Sequence, residues 1–136
     1  NLKNCNSGRV IDDYAHHPEE LNMIINSVKD LYPDSEITGI FQPHLFSRTK
    51  DFAQEFAIAL DQLDTPILLE IYPAREQPIP GITSNYLKSI MTSKNAEVLS
   101  KEEVLNVLKA NKPKVLLILG AGDIDTLREP IMEIYE

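Results

Sequence analysis

Two rhythms of apolar positions alternate along the chain. "RVIDDY" (residues 9–14) is short and partly β-branched and predicts a strand that ends in acids. Leu21, Ile24, Ile25, Val28 and Leu31 then recur at helical spacing and predict one buried stripe. Pro18 suits the first turn of that helix, and Glu19 and Glu20 suit the positive end of its dipole. "YPDS" (32–35) ends it, and "EITGIF" (36–41) predicts a second strand. Phe52, Phe56 and Leu60 mark the next helical face. "TPILLEIY" (65–72) is almost continuously apolar and predicts a fully buried strand. "PAREQPIPG" is a turn-rich loop, and "TSNYLKSIM" (83–91) a short helix with a Thr or Ser cap. "AEVL" reads as a short strand, and "SKEEVLNVLKA" (100–110) opens with a Ser-x-x-Glu capping box. "KVLLILG" (114–120) predicts another buried strand. It runs into "GAGD", and a last helix is expected from Ile124 to Tyr135.

Buried strands alternating with amphipathic helices imply an α/β fold: a Rossmann-like, three-layer domain with a mostly parallel sheet of five to six strands. At 136 residues the chain reads as a single domain, residues 1–136. Ligands of such sheets bind beyond the carboxyl ends of the strands. That rule gathers Asp12, Asp13, Tyr14 and His16, then Gln42, His44 and Arg48, then Tyr72, Arg75 and Glu76, then Gly120, Gly122 and Asp123 on one rim.

A formal net charge of −8 argues against duplex nucleic acid, whose binding needs a surplus of Lys and Arg. No apolar run approaches the roughly 18 residues of a membrane span, and "NLKNCNSGRV" lacks a signal peptide's apolar core. Cys5 stands alone, so no internal disulfide is expected, and a reducing cytoplasm fits. Neither a triphosphate-gripping G-x-x-x-x-G-K-[ST] loop nor a G-x-S-x-G nucleophile elbow is present.

"DDYAHHPEE" (12–20) admits a metal site, an acid–base site or a polar loop without chemistry. Adjacent histidines in a loop point apart and the spaced H-E-x-x-H pattern is absent, so no metal site is expected and His17 reads as structural. A metal-dependent hydrolase built on Asp12, His16 and His44 stays open as an alternative. A phosphoacceptor signalling module fits less well, because Glu70-Ile71-Tyr72 stands where its aspartate would be needed. Arg48 begins a helix, where a cation opposes the dipole, and is therefore expected to meet an anionic ligand. Gly120 and Gly122 permit close backbone approach ahead of a helix with free N–H groups.

"DDYAHHPEE", "FQPHLFSRT", "DFAQEFAIAL", "LEIYPAREQPIPG" and "GAGDI" resemble, in this order and spacing, the carboxy-terminal domain of the Mur ligases, from Arg9 to the end of the chain. The resemblance implies a ligase of peptidoglycan precursor synthesis, with UDP-binding and central ATPase domains that this chain lacks. It implies ATP-dependent amide formation through an acyl phosphate, with Mg2+, and no cofactor held tightly by this domain alone. L-alanine, ATP and UDP-N-acetylmuramate are the implied partners, with no nucleic acid and no membrane. By position, Asp12 and Asp13 resemble nucleotide-side acids. Tyr14, His16, His44 and Arg48 resemble the residues around the incoming amino acid and the reacting phosphate, with His16, His44 and Arg48 as the catalytic set. Gly120, Gly122 and Asp123 would complete the amino-acid pocket. Leu45 stands where many relatives carry an arginine, and Ala15 where a glycine is common.

Overall fold

Five of the apolar runs pair as parallel strands, and the polar amino-terminal segment adds a sixth, antiparallel one. The computed structural model describes residues 2–5 and 8–136, with the backbone alone for 2–5, so the Cys5 side chain lies outside the described residues. The strands are β1 (Leu2–Cys5), β2 (Gly8–Asp13), β3 (Ile37–Phe41), β4 (Thr65–Leu68), β5 (Glu97–Val98) and β6 (Val115–Leu119). The helices are α1 (Pro18–Leu31), α2 (Phe46–Asp51), α3 (Ala53–Leu60), α4 (Ser84–Ser89), α5 (Lys101–Ala110) and α6 (Arg128–Tyr135). Sheet order is β1-β2-β6-β3-β4-β5, and β1 is the one antiparallel member.

β6 lies at the centre, in register with both neighbours: Ile118 pairs with Asp12 and with Ile40. Alternate residues of one strand face opposite sides, which splits the core in two. Leu117 and Leu119 join Phe41 and Leu68 beneath Leu21, Ile25, Phe56, Leu60 and Leu87. Leu116 and Ile118 join Val10, Ile40 and Ile67 beneath Val104, Leu108, Ile131 and Tyr135. Burying each such side chain contributes roughly 1.5–3 kcal/mol.

Four expectations need correction. Leu31, placed on the α1 stripe, is 65% exposed, because the helix ends there and Tyr32 takes the C-cap. The Phe52 helix is two pieces: Phe52 leaves the helical region (φ −117°, ψ 23°) and sets its ring 4.9 Å from that of His17. The strand expected over 65–72 ends its ladder at Leu68. Its partner strand is used up there, since Gln42 N–H turns to Leu119 O and Pro43 has no N–H; only a single bridge, His44 to Tyr72, follows. The last helix begins as a 3-10 turn (Asp123–Leu127) and becomes α-helical at Arg128. An α-helix from Ile124 would need an N–H at Pro130. Among the described residues no helix is long and apolar enough to cross a membrane.

Candidate functional site

The central position of β6 creates a crevice at the carboxyl edge of the sheet. The segments leaving β2 and β3 run to α1 and α2 on one face, while the segment leaving β6 runs to the 3-10 turn and α6, whose buried residues pack on the other. Such a divergence is where open α/β sheets bind ligands. The candidate residues fall here into three adjoining groups.

The first group is a row of rings closed by a cation. The His44 ring stacks on Tyr72 (centroids 5.6 Å apart, planes at 12°) and meets His16 edge-on at 6.1 Å. Arg48 Nη1 lies 3.2 Å from His44 Nδ1. A guanidinium can only donate, so Nδ1 of His44 accepts and a neutral His44 carries its proton on Nε2. Partial burial, then the nearby Arg48 and His16, hold the His44 imidazole below its ordinary value. The opposite tautomer follows for His16. Its Nδ1 lies 2.9 Å from the Tyr14 carbonyl, which can only accept, so Nδ1 donates and in the neutral ring Nε2 keeps a lone pair. Leu45, between His44 and α2, has φ 72° and ψ 137°, a conformation leucine rarely adopts. His17 caps the start of α1, where Glu20 Oε1 accepts its backbone N–H at 3.1 Å, and its ring packs on Phe52.

The second group surrounds Arg128. Its Nε lies 3.1 Å from Asp12 Oδ2, its Nη1 donates to the Tyr14 hydroxyl at 2.9 Å and to Asp125, and its guanidinium covers one face of the Tyr14 ring at 4.5 Å. Asp13 turns back on its own loop: Oδ1 accepts the Ala15 N–H at 2.8 Å.

The third group is built on Gln42, which is buried. Its Nε2 donates to Asp123 Oδ1 at 2.6 Å and to Glu70 O at 3.2 Å, and its Oε1 accepts the Ile124 N–H at 2.8 Å. Gly120 has φ +132°, and a Cβ on Gly122 would come within 2.5 Å of Gln42 Oε1 and 2.7 Å of Tyr72 Cβ. The two glycines therefore let the loop lie against β3 and Tyr72. Lys101 Nζ reaches Asp123 Oδ2 at 2.9 Å. Burial alone would raise the Asp123 carboxyl, but the Lys101 and Gln42 hydrogen bonds outweigh it and hold the group low. A depression of about 280 Å³ opens beside this group, lined by Gln42, Glu70, Tyr72, Ser100 and Lys101 among others.

The structure thus brings together His16, His44, Tyr72 and Arg48, and places Asp12, Asp13 and Asp123 in separate contacts. Among the described residues no three His, Cys, Asp or Glu side chains converge to hold a metal ion, so the Asp12–His16–His44 alternative has no centre to work from. Sequence reasoning missed Arg128 and Lys101 as partners of these acids. The signal that singled out Arg48, a cation opening a helix, applies to all three. They differ in what they meet. Lys101 and Arg128 meet carboxylates, whereas among the described residues no carboxylate lies within ion-pair distance of Arg48. The dipole argument for Arg48 weakens in a six-residue helix, where its first and last turns overlap; the missing acid replaces it.

The family model for the Mur ligase, glutamate ligase domain matches residues 2–122. The UDP-N-acetylmuramate–L-alanine ligase of Parabacteroides distasonis is 54% identical over 125 residues, covering 92% of this chain and 27% of that protein. The chain therefore spans about a quarter of the length of the curated relatives it matches. The crystal structure of the Thermotoga maritima UDP-N-acetylmuramate–alanine ligase superposes with a TM-score of 0.69 at 31% identity, covering 93% of this chain and 26% of that one. A murein peptide ligase from Psychrobacter arcticus shares the fold at a TM-score of 0.75 and 18% identity, covering 98% of this chain and 29% of that one.

Proposed function

Because the chain belongs to the Mur ligase family, we propose that it is the domain of a UDP-N-acetylmuramate–L-alanine ligase that presents L-alanine and closes over ATP. One observation carries the reading: Arg48, in a chain of net charge −8, lies against the His44 imidazole, which in turn meets that of His16, and among the described residues no carboxylate is within ion-pair distance of it at the sheet's carboxyl edge. Such a place suits an anion, either the carboxylate of the amino acid or an oxygen of the departing phosphate.

The proposed chemistry follows from the tautomers. Amide formation needs a neutral amine and stabilisation of charge on the leaving phosphate. His16 Nε2, with its lone pair free, takes the ammonium proton. His44, held neutral and protonated on Nε2, donates to the developing charge beside Arg48. The base is then His16 rather than His44. Asp12 and Asp13, at the end of β2, are assigned to the nucleotide side. Tyr14, 59% exposed, offers the ring face that Arg128 leaves open. The backbone of Gly120–Asp123 borders the amino acid.

ATP supplies the phosphoryl group that activates the muramate carboxylate. Magnesium in phosphoryl-transfer sites is held by one or two carboxylates together with substrate phosphates and water, and its ligands are assigned here to the ATP phosphates and to other parts of the ligase. Dependence on ATP supports a cytoplasmic location. The test is phosphate release by the longer ligase with ATP, UDP-N-acetylmuramate and each amino acid in turn. L-alanine is expected to give the fastest release. Stimulation by another amino acid, or by none, overturns the reading.

A further inference from the structure

The helix that carries Arg48 cannot cap itself. The N-cap of α2 is Leu45, which has no side-chain acceptor, and the first turn contains no acid. The free N–H groups of a helix start need partners from elsewhere. Here they come from the proline-rich loop after β4, 29 residues away. Glu76 Oε1 accepts the Ser47 N–H at 3.1 Å, and Oε2 accepts the Ser47 hydroxyl. The same loop is tied to the residues just ahead of α2: Tyr72 N–H donates to Pro43 O and Leu45 N–H donates to Tyr72 O, each at 2.8 Å. His44 and Arg48 bracket the clamped turn and touch each other.

We propose that Glu76 is a positioning residue: it caps α2 from the neighbouring loop and so fixes where His44 and Arg48 present themselves at the rim. Its carboxylate also supplies negative charge opposite the cations around His44. The charged and titratable groups facing His44 are Arg48, His16, Tyr72 and Glu76, with Glu20 behind His16. Glu76 opposes the downward pull of Arg48 and His16 on His44, and its own carboxyl is held low chiefly by the Ser47 hydroxyl. The catalytic consequence rests on the ligase reading; the clamp does not.

The test has two arms. In this chain, followed by NMR, Glu76→Gln should shift the Ser47 and Phe46 amide signals and move the His44 ring titration to lower pH. The His17 ring signals, whose contact is with Phe52, should stay in place. An unmoved His44 titration together with an unmoved Ser47 amide overturns the proposal. In the longer ligase, Glu76→Ala should lower kcat/KM by about ten- to a hundredfold, the range a misplacement of about 1 Å produces. Glu76→Gln should recover part of that loss, because its amide oxygen still accepts the Ser47 N–H. Should Glu76→Ala fail to fold, Glu76→Gln decides in both arms. Wild-type kcat/KM for Glu76→Ala in an active ligase overturns the positioning role. An inactive wild-type ligase instead sinks the ligase reading and leaves the NMR arm to judge the clamp.

Discussion

On the proposed reading Arg48 is the residue on which the chemistry turns, because it touches His44 and among the described residues no carboxylate lies within ion-pair distance of it. Arg48→Ala in the longer ligase should lower kcat/KM about ten- to a hundredfold, since a hydrogen bond to a charged group contributes about 1.5–3 kcal/mol. Arg48→Lys should recover little of it if the contact is two-pronged. His17→Ala should leave kcat/KM within about twofold and act on melting temperature alone, since the ring packs on Phe52. The two imidazoles are separable by pH. If His16 is the base, the loss in His16→Ala shrinks as pH rises, because the amine then deprotonates unaided. The loss in His44→Ala should not shrink. Steady-state kinetics from pH 7 up through the range where amines deprotonate, about 8–10, would show both; the reverse pattern assigns the base to His44 instead. At this scale the sequence was legible for residue type and blind to pairing. Arg48, Lys101 and Arg128 look alike as cations opening helices, and only the folded chain shows that Lys101 meets Asp123 and Arg128 meets Asp12. Gln42 left no signal beyond being polar at the end of a buried strand, although it holds three backbone segments together. Gln42→Leu should cost about 1–3 kcal/mol by leaving the buried Ile124 N–H without its acceptor, read as a lowered denaturation midpoint.

Elements whose shape follows from their own period were the readable ones. The α1, α5 and β6 segments repeat at 3.6 or run continuously apolar, and each forms nearly where the pattern put it. The Ser100 capping box is present with both bonds, Glu103 N–H to Ser100 Oγ at 3.1 Å and Ser100 N–H to Glu103 Oε1 at 2.8 Å. Ser100→Ala should therefore cost about 1 kcal/mol. Unreadable were the features imposed from outside an element. β1 pairs through its backbone at a sheet edge, which needs no apolar pattern. The break at Phe52 answers to a ring contact with His17. The split of the last helix was within reach, since Pro130 forbids the α-helical bond that a continuous helix requires. The loop after β6 is the element whose geometry has least room. Gly122→Ala would drive a Cβ into Gln42 Oε1 and Tyr72. Since Tyr72 carries the His44 stack, this one methyl should both lower the melting temperature and cut kcat/KM by at least about tenfold. Unchanged kinetics in Gly122→Ala would separate this loop from the imidazole row.

Across the whole molecule, pH sets two opposing demands. Acidification from pH 7 toward the sequence pI of about 4.8 removes the net charge of −8 and with it self-repulsion. Acidification also protonates groups that the fold holds in one state. Repulsion between exposed charges is screened beyond about 8 Å at physiological ionic strength, so the first effect is small. The second has a definite sign. His44 is held below its ordinary value by burial and by Arg48 and His16, so the unfolded chain binds its proton first. Stability therefore declines as pH falls below about 6.5 and stops declining on this account once folded His44 is protonated too. Glu20, Glu76 and Asp123 are all held low, through His16 N–H, Ser47, and Lys101 with Gln42 respectively. Their contribution is complete above about pH 4.3 and is lost as pH falls through their folded values. The melting temperature of this chain should thus be level from pH 8 to 7, decline gently below about 6.5 and steeply below about 4.3. In His44→Ala the gentle limb should shrink while the steep limb remains, as followed by circular dichroism at fixed ionic strength. A melting temperature that rises on the way from pH 7 to 5 would mean that self-repulsion, rather than these held groups, governs the stability of the domain.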